Sequence, residues 1–410
     1  MSDLGGRAVS ALGLVAMMAV AWACSTDRRR VPWRTVIWGL AIQLALAALL
    51  LKTEVGARFF GGANDAVNAV IGYTDAGVRF VFGALVDTGF SFVVNVLPTI
   101  VFLGSVFSVL YHLGLVQRVV DLLARALASR MGTSGAESLS AVANIFLGMV
   151  EAPLLIRPYL AGMTRSELFC VMTTGMAGIA GSVLVAYVQM LGGGDFAGHL
   201  VTASFLSAPA GILIAKLMLP ETEEPATAVA GRAALERSSL NLIDAAALGA
   251  IEGLKLAAYV GAMLVAFVAG VAALNDGLAH AGALVGLPGL SLQGVLGVVL
   301  APVAWLMGIP WQDAPRIGGL LGIKTVLNEF LAYRELGELI RQGAVGHRTA
   351  VIASYALCGF ANFGSLAILI GGLGGMAPSR RADVAALGLR SILAGSLASF
   401  MTACVAGILL

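Results

Sequence analysis

Two glutamates stand where charge is least expected. Glu151 lies in GMVEAPLL and Glu329 in TVLNEFLA, both otherwise largely apolar. An ionised carboxylate in hydrocarbon costs at least about 2.5 kcal/mol, so such a group faces a cavity, an ion or a partner. A structural pairing is available to each, Arg157 for Glu151 and Lys324 for Glu329. The alternative is binding: carboxylates beside amides accept hydrogen bonds from sugar hydroxyls, or hold a proton or Na+. Asn144, Asn362 and Ser365 are neutral polar residues in apolar surroundings. They suit either a ligand or a hydrogen bond between helices.

Other chemistries find no footing. His112, His199, His280 and His347 are isolated, and Cys24, Cys170, Cys358 and Cys404 are scattered in apolar runs. Neither set has metal-ligand spacing. Gly371-Gly372 and Gly374-Gly375 lack the Lys-Ser/Thr of a phosphate loop and read as close helix packing. No nucleophile–base arrangement stands out, so no enzyme activity and no organic cofactor is expected.

The elements that must carry these residues follow from composition. The chain has 410 residues, of which 12% are charged and 59% apolar. A soluble domain carries about 25% charge. With a mean hydropathy of +0.92, a disordered chain, a disulfide scaffold and an ordinary soluble enzyme are excluded. Lipid must cover most of the surface, in roughly eight to ten spans of about 20 residues. Net charge +2 argues nothing about nucleic acid, and no nucleic-acid partner is expected.

Along the chain, apolar runs at 8–24 and 36–51 form a hairpin of two spans rather than a signal peptide. Arg28, Arg29, Arg30 and Arg34 place its connection in the cytoplasm. Residues 53–78 carry Asn64, Asp65 and Asn68 among apolar residues, predicting an interfacial helix or re-entrant stretch. A long apolar run covers 80–115, and an amphipathic helix 116–130. Gly, Ser, Asn and Glu then crowd 131–160, with Pro153 and Pro158, predicting a broken or re-entrant segment. Spans at 168–191 and 205–219 precede an aqueous loop at 220–240. A long span covers 245–274 and an apolar segment 284–306. Residues 307–343 are again polar and Pro-broken, and the spans 349–372 and 384–409 close the chain. Glu151 lies 27 residues before Gly178, and Glu329 lies 33 before Asn362. Interrupted segments in matching positions of two halves point to a secondary transporter with its site at the midplane.

These residues resemble the concentrative nucleoside transporter family. GIKTVLNEFLAY (322–333) is similar to its Gly-x-Lys-x-x-x-Asn-Glu-Phe signature. GTSGAESLSAVANIF (132–146), EAPLLIRPYL (151–160), MGIPWQDA (307–314) and CGFANFGSLAILIGGLGG (358–375) extend the likeness over nearly the whole chain. The resemblance implies an all-α polytopic protein of the inner (plasma) membrane, assembled as a homotrimer in lipid. Each protomer would have eight transmembrane helices, an interfacial helix, and two re-entrant helical hairpins in an inverted repeat. Residues 1–115 would form scaffold helices, 116–219 the first repeat, 220–285 the loop and a long scaffold helix, and 286–410 the second repeat. It implies cation-coupled nucleoside uptake by alternating access, with Na+ or H+ as the coupling ion. Glu151, Glu329, Asn362 and Ser365 would hold the nucleoside, flanked by Met149, Val150, Asn328 and Phe360. Asn144 would serve a Na+ site with backbone near Gly178 and Ile179.

Three features depart from the family's pattern. Met149-Val150 replace a polar pair that contacts the base. Gly178 replaces a Ser or Thr of the ion site, which opens proton coupling. Tyr259 stands where Asn is expected. A transporter of the same fold for another nucleoside-like or unrelated solute is the alternative. A channel, or an enzyme acting on a lipid-linked sugar, is a more distant one.

Overall fold

Pro and Gly decide where the helices of this chain stop. A computed structural model describes residues 3–88, 92–193, 196–226, 239–284, 286–287 and 289–410. The aqueous loop expected at 220–240 lies largely outside the described residues, at 227–238. Helices α1 (Asp3–Ala23), α2 (Trp33–Lys52), α3 (Glu54–Phe82), α4 (Leu97–His112) and α5 (Leu115–Met131) come first. Next are α6 (Gly135–Ala143), the short α7 (Arg157–Leu160), α8 (Arg165–Ala177), α9 (Gly181–Met190) and α10 (Phe196–Met218). The second half holds α11 (Leu242–Leu284), α12 (Leu292–Leu306), α13 (Ala314–Val326), α14 (Glu329–Arg341), α15 (His347–Leu357), α16 (Phe363–Met376) and α17 (Arg381–Leu409).

Eight helices among the described residues are long and apolar enough to cross a membrane. The number agrees with expectation, but the membership differs. Residues 53–78 are no re-entrant stretch: α3 runs unbroken for 29 residues, as an interfacial helix would, and also has the length and apolar content of a span. The run 80–115 belongs to two elements, because Gly83 takes φ +56 and ends α3. The helix α10 starts nine residues before the expected 205, and α11 reaches Leu284, ten residues beyond the expected end.

Helices α8, α10 and α17 form the buried centre, α4 is half-buried, and α3 and α11 leave many apolar side chains on the outside. Gly104 on α4 faces Gly249 and Gly253 on α11. A Cβ on Gly249 would lie 2.4 Å from the Gly104 carbonyl oxygen. Such close backbone approach is how helices associate in lipid, where dispersion contacts replace the hydrophobic drive.

Two hairpins interrupt this frame. The first joins α6 to the 3-10 turn Ala152–Ile156 and α7 across a loop at 144–151. The second joins α13 to α14 across Leu327 and Asn328. Thirteen residues of helix reach about 20 Å, short of the ~30 Å hydrocarbon core, so neither arm of the second hairpin spans the membrane. The first hairpin is entered through a capping box: Ser134 Oγ accepts from the Glu137 amide, and Glu137 accepts from the Ser134 amide at 2.7 Å. The other Glu137 oxygen meets Lys216 Nζ of α10 at 2.8 Å, so this buried cap also fastens the hairpin. Ser134→Ala should therefore lower stability by about 1 kcal/mol, read as a reduced melting temperature with the ligand site unchanged.

Candidate functional site

Two broken helices meet the two hairpin tips. The first interruption is residues 178–180, between α8 and α9; the second is 358–362, between α15 and α16. Both were expected from Gly and small polar residues. Each break frees carbonyls at the end of one half-helix and amides at the start of the next. A cavity of about 150 Å³ opens between these breaks, the hairpin tips and α11.

All eight residues expected to line a substrate site reach this one cavity: Met149, Val150, Glu151, Asn328, Glu329, Phe360, Asn362 and Ser365. They come from three separate stretches of chain. Asn328 and Asn362 are both N-caps. The Asn328 side chain accepts from the Leu331 amide at 3.0 Å, and Asn362 Oδ1 accepts from the Ser365 amide at 2.7 Å. Capping orients the Asn362 amide, so that its Nδ2 donates to Glu329 Oε2 at 2.9 Å. Glu329 is the first residue of α14, and the positive ends of α14 and α16 both favour its negative charge. The pairing of Glu329 with Lys324 does not form, nor does that of Glu151 with Arg157: neither is an ion pair among the described residues. Glu151 is exposed to the cavity. Gly148 precedes it at φ +112, and a Cβ there would lie 2.8 Å from Glu151 Oε2, so both conformation and space require glycine.

Sequence reasoning missed Tyr187. It is fully buried on α9, and its hydroxyl donates to Glu329 Oε1 at 2.9 Å. Its ring stacks on Tyr333 at 4.5 Å and meets Phe330 edge-on at 4.8 Å. A tyrosine in the apolar run GSVLVAYVQM was the available signal, since a buried phenol needs a partner. Also missed were Leu256, Val260 and Met263, which close the cavity from one face of α11. Tyr259 is 67% exposed and does not line it.

Asn144 caps the C-terminus of α6. Its Nδ2 donates to the Thr174 carbonyl at 3.0 Å. Its Oδ1 is buried with no hydrogen-bond partner among the described residues. A Cβ on Gly178 would lie 2.9 Å from both Asn144 Nδ2 and Ser207 Oγ. The hydroxyl missing at 178 is therefore present beside it, carried by Ser207 of α10.

Residues 199–407 match the family profile described as Na+ dependent nucleoside transporter C-terminus, and residues 12–85 match its N-terminus. Residues 93–194 match a gate domain described as nucleoside recognition. The transporter YutK of Bacillus subtilis is 46% identical over 399 residues, covering 97% of this chain and 98% of that protein. Sodium/nucleoside cotransporter 1 of Mus musculus is 43% identical over 416 residues, covering 98% of this chain and 63% of that longer protein. Among solved structures, CNTnw in an inward-facing substrate-bound state gives a TM-score of 0.92 at 44% identity, covering 98% of both chains. A double variant of CNTnw in an outward-facing state gives 0.92 at 43% identity, covering 98% of this chain and 97% of that one.

Proposed function

Since the chain belongs to the concentrative nucleoside transporter family, a group of Na+-dependent multi-pass membrane proteins, we propose that it takes up nucleosides with Na+ by alternating access. The observation that carries this reading is the convergence of Glu151, Glu329, Asn362 and Ser365 on one cavity. Two carboxylates, an amide and a hydroxyl suit the hydroxyl-rich ribose. Met149 and Val150 offer the base only an apolar wall. The similarity to CNTnw in both inward- and outward-facing states supports alternating exposure of this cavity. The assembly is a homotrimer in lipid, a reading that the exposed apolar flanks of α3 and α11 support.

The residues around Asn144 fit Na+. Asn144 carries an unpartnered buried amide oxygen, and the Ser207 hydroxyl and the Gly178 backbone lie beside its amide group; oxygen donors of this kind are what a hard cation takes. Carbonyls at the ends of half-helices coordinate Na+ in transporters of this general build. When bound, the ion supplies positive charge beside the first hairpin. Substrate and ion must then tighten one another by the same factor. Because a side chain at 178 would crowd Asn144 and Ser207, Gly178→Ser should weaken the ion site rather than improve it. The Na+ midpoint for thermal stabilisation should rise roughly fivefold, equivalent to ~1 kcal/mol. Combining it with Ser207→Ala should recover most of the loss.

The test of function is uptake into proteoliposomes. Nucleoside accumulation driven by an inward Na+ gradient, and abolished when choline replaces Na+, is the expected result. Flux that neither saturates nor concentrates solute would make the protein a channel. Saturable uptake of an unrelated solute, with none for any ribonucleoside, would overturn the substrate class.

A further inference from the structure

The two halves of the chain present the same contact in two chemical versions. In the first half, Asn144 ends the first arm of its hairpin and donates to the carbonyl of Thr174. Thr174 is among the last four residues of α8, just before the break at 178–180. In the second half, Lys324 lies in the last turn of the first arm, α13. Its Nζ donates to the carbonyl of Ala356 at 2.9 Å. Ala356 is among the last four residues of α15, just before the break at 358–362. Both hairpins thus reach the C-terminal, negative end of the broken helix that follows, where free carbonyls favour positive charge.

What differs is the group delivered there. Asn144 is neutral and leaves Oδ1 unpaired, an arrangement open to a cation from outside. Lys324 brings its own. It is fully buried, its Nζ sits 5.8 Å from the Phe400 ring centre, and no carboxylate lies within ion-pair distance among the described residues. A buried ammonium without a carboxylate is costly, so the Ala356 carbonyl and the Phe400 face that tolerate it form a cation site in all but exchange. We propose that Lys324 is a tethered cation in the second half, standing where the first half binds its exchangeable Na+, so that the protein takes up one Na+ per cycle rather than two.

This rests on the reading of Asn144 as the Na+ position, and the experiment separates the two. The full-length protein in detergent, without nucleoside, is melted over a series of Na+ concentrations at constant ionic strength with choline. For wild type the stabilisation should follow binding of about one ion. Lys324→Gln should melt lower in choline and regain stability in Na+, with a dependence approaching about two ions. The reciprocal variant Asn144→Lys should melt independently of Na+. A wild-type dependence of two ions overturns the proposal, because a second exchangeable site would already exist, and this holds even if neither variant folds. A Lys324→Gln protein destabilised equally at every Na+ concentration, still with one ion, overturns it alone and reduces Lys324 to a helix cap. Absence of any Na+ response in wild type overturns it together with the Asn144 reading.

Discussion

Glu329→Gln is expected to weaken nucleoside binding roughly ten- to hundredfold while leaving the oligomeric state and melting temperature nearly unchanged. Both oxygens of Glu329 are already engaged from within the protein, by Tyr187 at 2.9 Å and by Asn362 at 2.9 Å. These contacts fix the carboxylate's orientation and leave its remaining lone pairs toward the cavity. A hydrogen bond from a ligand hydroxyl to a charged acceptor contributes about 1.5–3 kcal/mol, which sets the expected loss. Gln keeps the shape and one acceptor. Glu329→Ala is harsher, because it also leaves the Tyr187 hydroxyl and the Asn362 amide buried without this partner. Isothermal titration with the best-bound nucleoside, alongside size-exclusion of the purified variant, makes the comparison. Normal affinity in Glu329→Gln would show that this acid does not touch the substrate. The milder variant Tyr187→Phe keeps the ring stack and removes only the hydroxyl. It should therefore lose less affinity than Glu329→Gln.

The site residues were legible in sequence for a physical reason. A carboxylate or an asparagine in an apolar run is conspicuous, since lipid tolerates neither without a partner. Pro and Gly marked the hairpins and both broken helices, because each removes or exposes backbone groups that only protein or water can satisfy. Where the reading failed, the cause was also physical. Asn64, Asp65 and Asn68 made 53–78 read as an interfacial helix or a re-entrant stretch, and it is the re-entrant alternative that fails. In the fold these residues belong to one long helix, and Asn64 Oδ1 accepts from the Gly198 amide at 3.3 Å. That amide stands near the start of α10, which was placed too late because His199 and Thr202 broke the apolar pattern. Both are buried: the Thr202 hydroxyl donates to the Gly198 carbonyl at 2.7 Å, and His199 lies 3.3 Å from the Tyr355 hydroxyl. Serine 207 could not be recognised at all. A hydroxyl within an apolar span carries no mark of what it faces, and only the helix crossing brings Ser207 to Gly178.

Restoring polarity at the base wall should change which nucleosides bind, more than how tightly they bind. Met149 is buried, Val150 partly so, and both line the cavity beside Glu151. Val150 also packs against α16, where a Cβ on Gly372 would lie 3.0 Å from Val150 Cγ1. An apolar wall separates similar ligands weakly, because a mismatched polar group on the base forfeits little there. A site built to hydrogen-bond rejects a mismatch strongly, because its own groups are left unpaired. In the native protein, exchanging one base for another should therefore cost less affinity than removing ribose hydroxyls, which Glu151, Glu329, Asn362 and Ser365 are placed to meet. In the double variant Met149→Gln with Val150→Thr, the spread of affinities among bases should widen by about 1–2 kcal/mol, the value of one regained net hydrogen bond. Thr is close to Val in size, so the contact with Gly372 should survive. Competition binding with base-modified and ribose-modified analogues, on native protein and double variant alike, measures both spreads. If deoxy-analogues bind as well as ribonucleosides while base changes abolish binding, the polar set reads the base, and the ribose assignment is reversed.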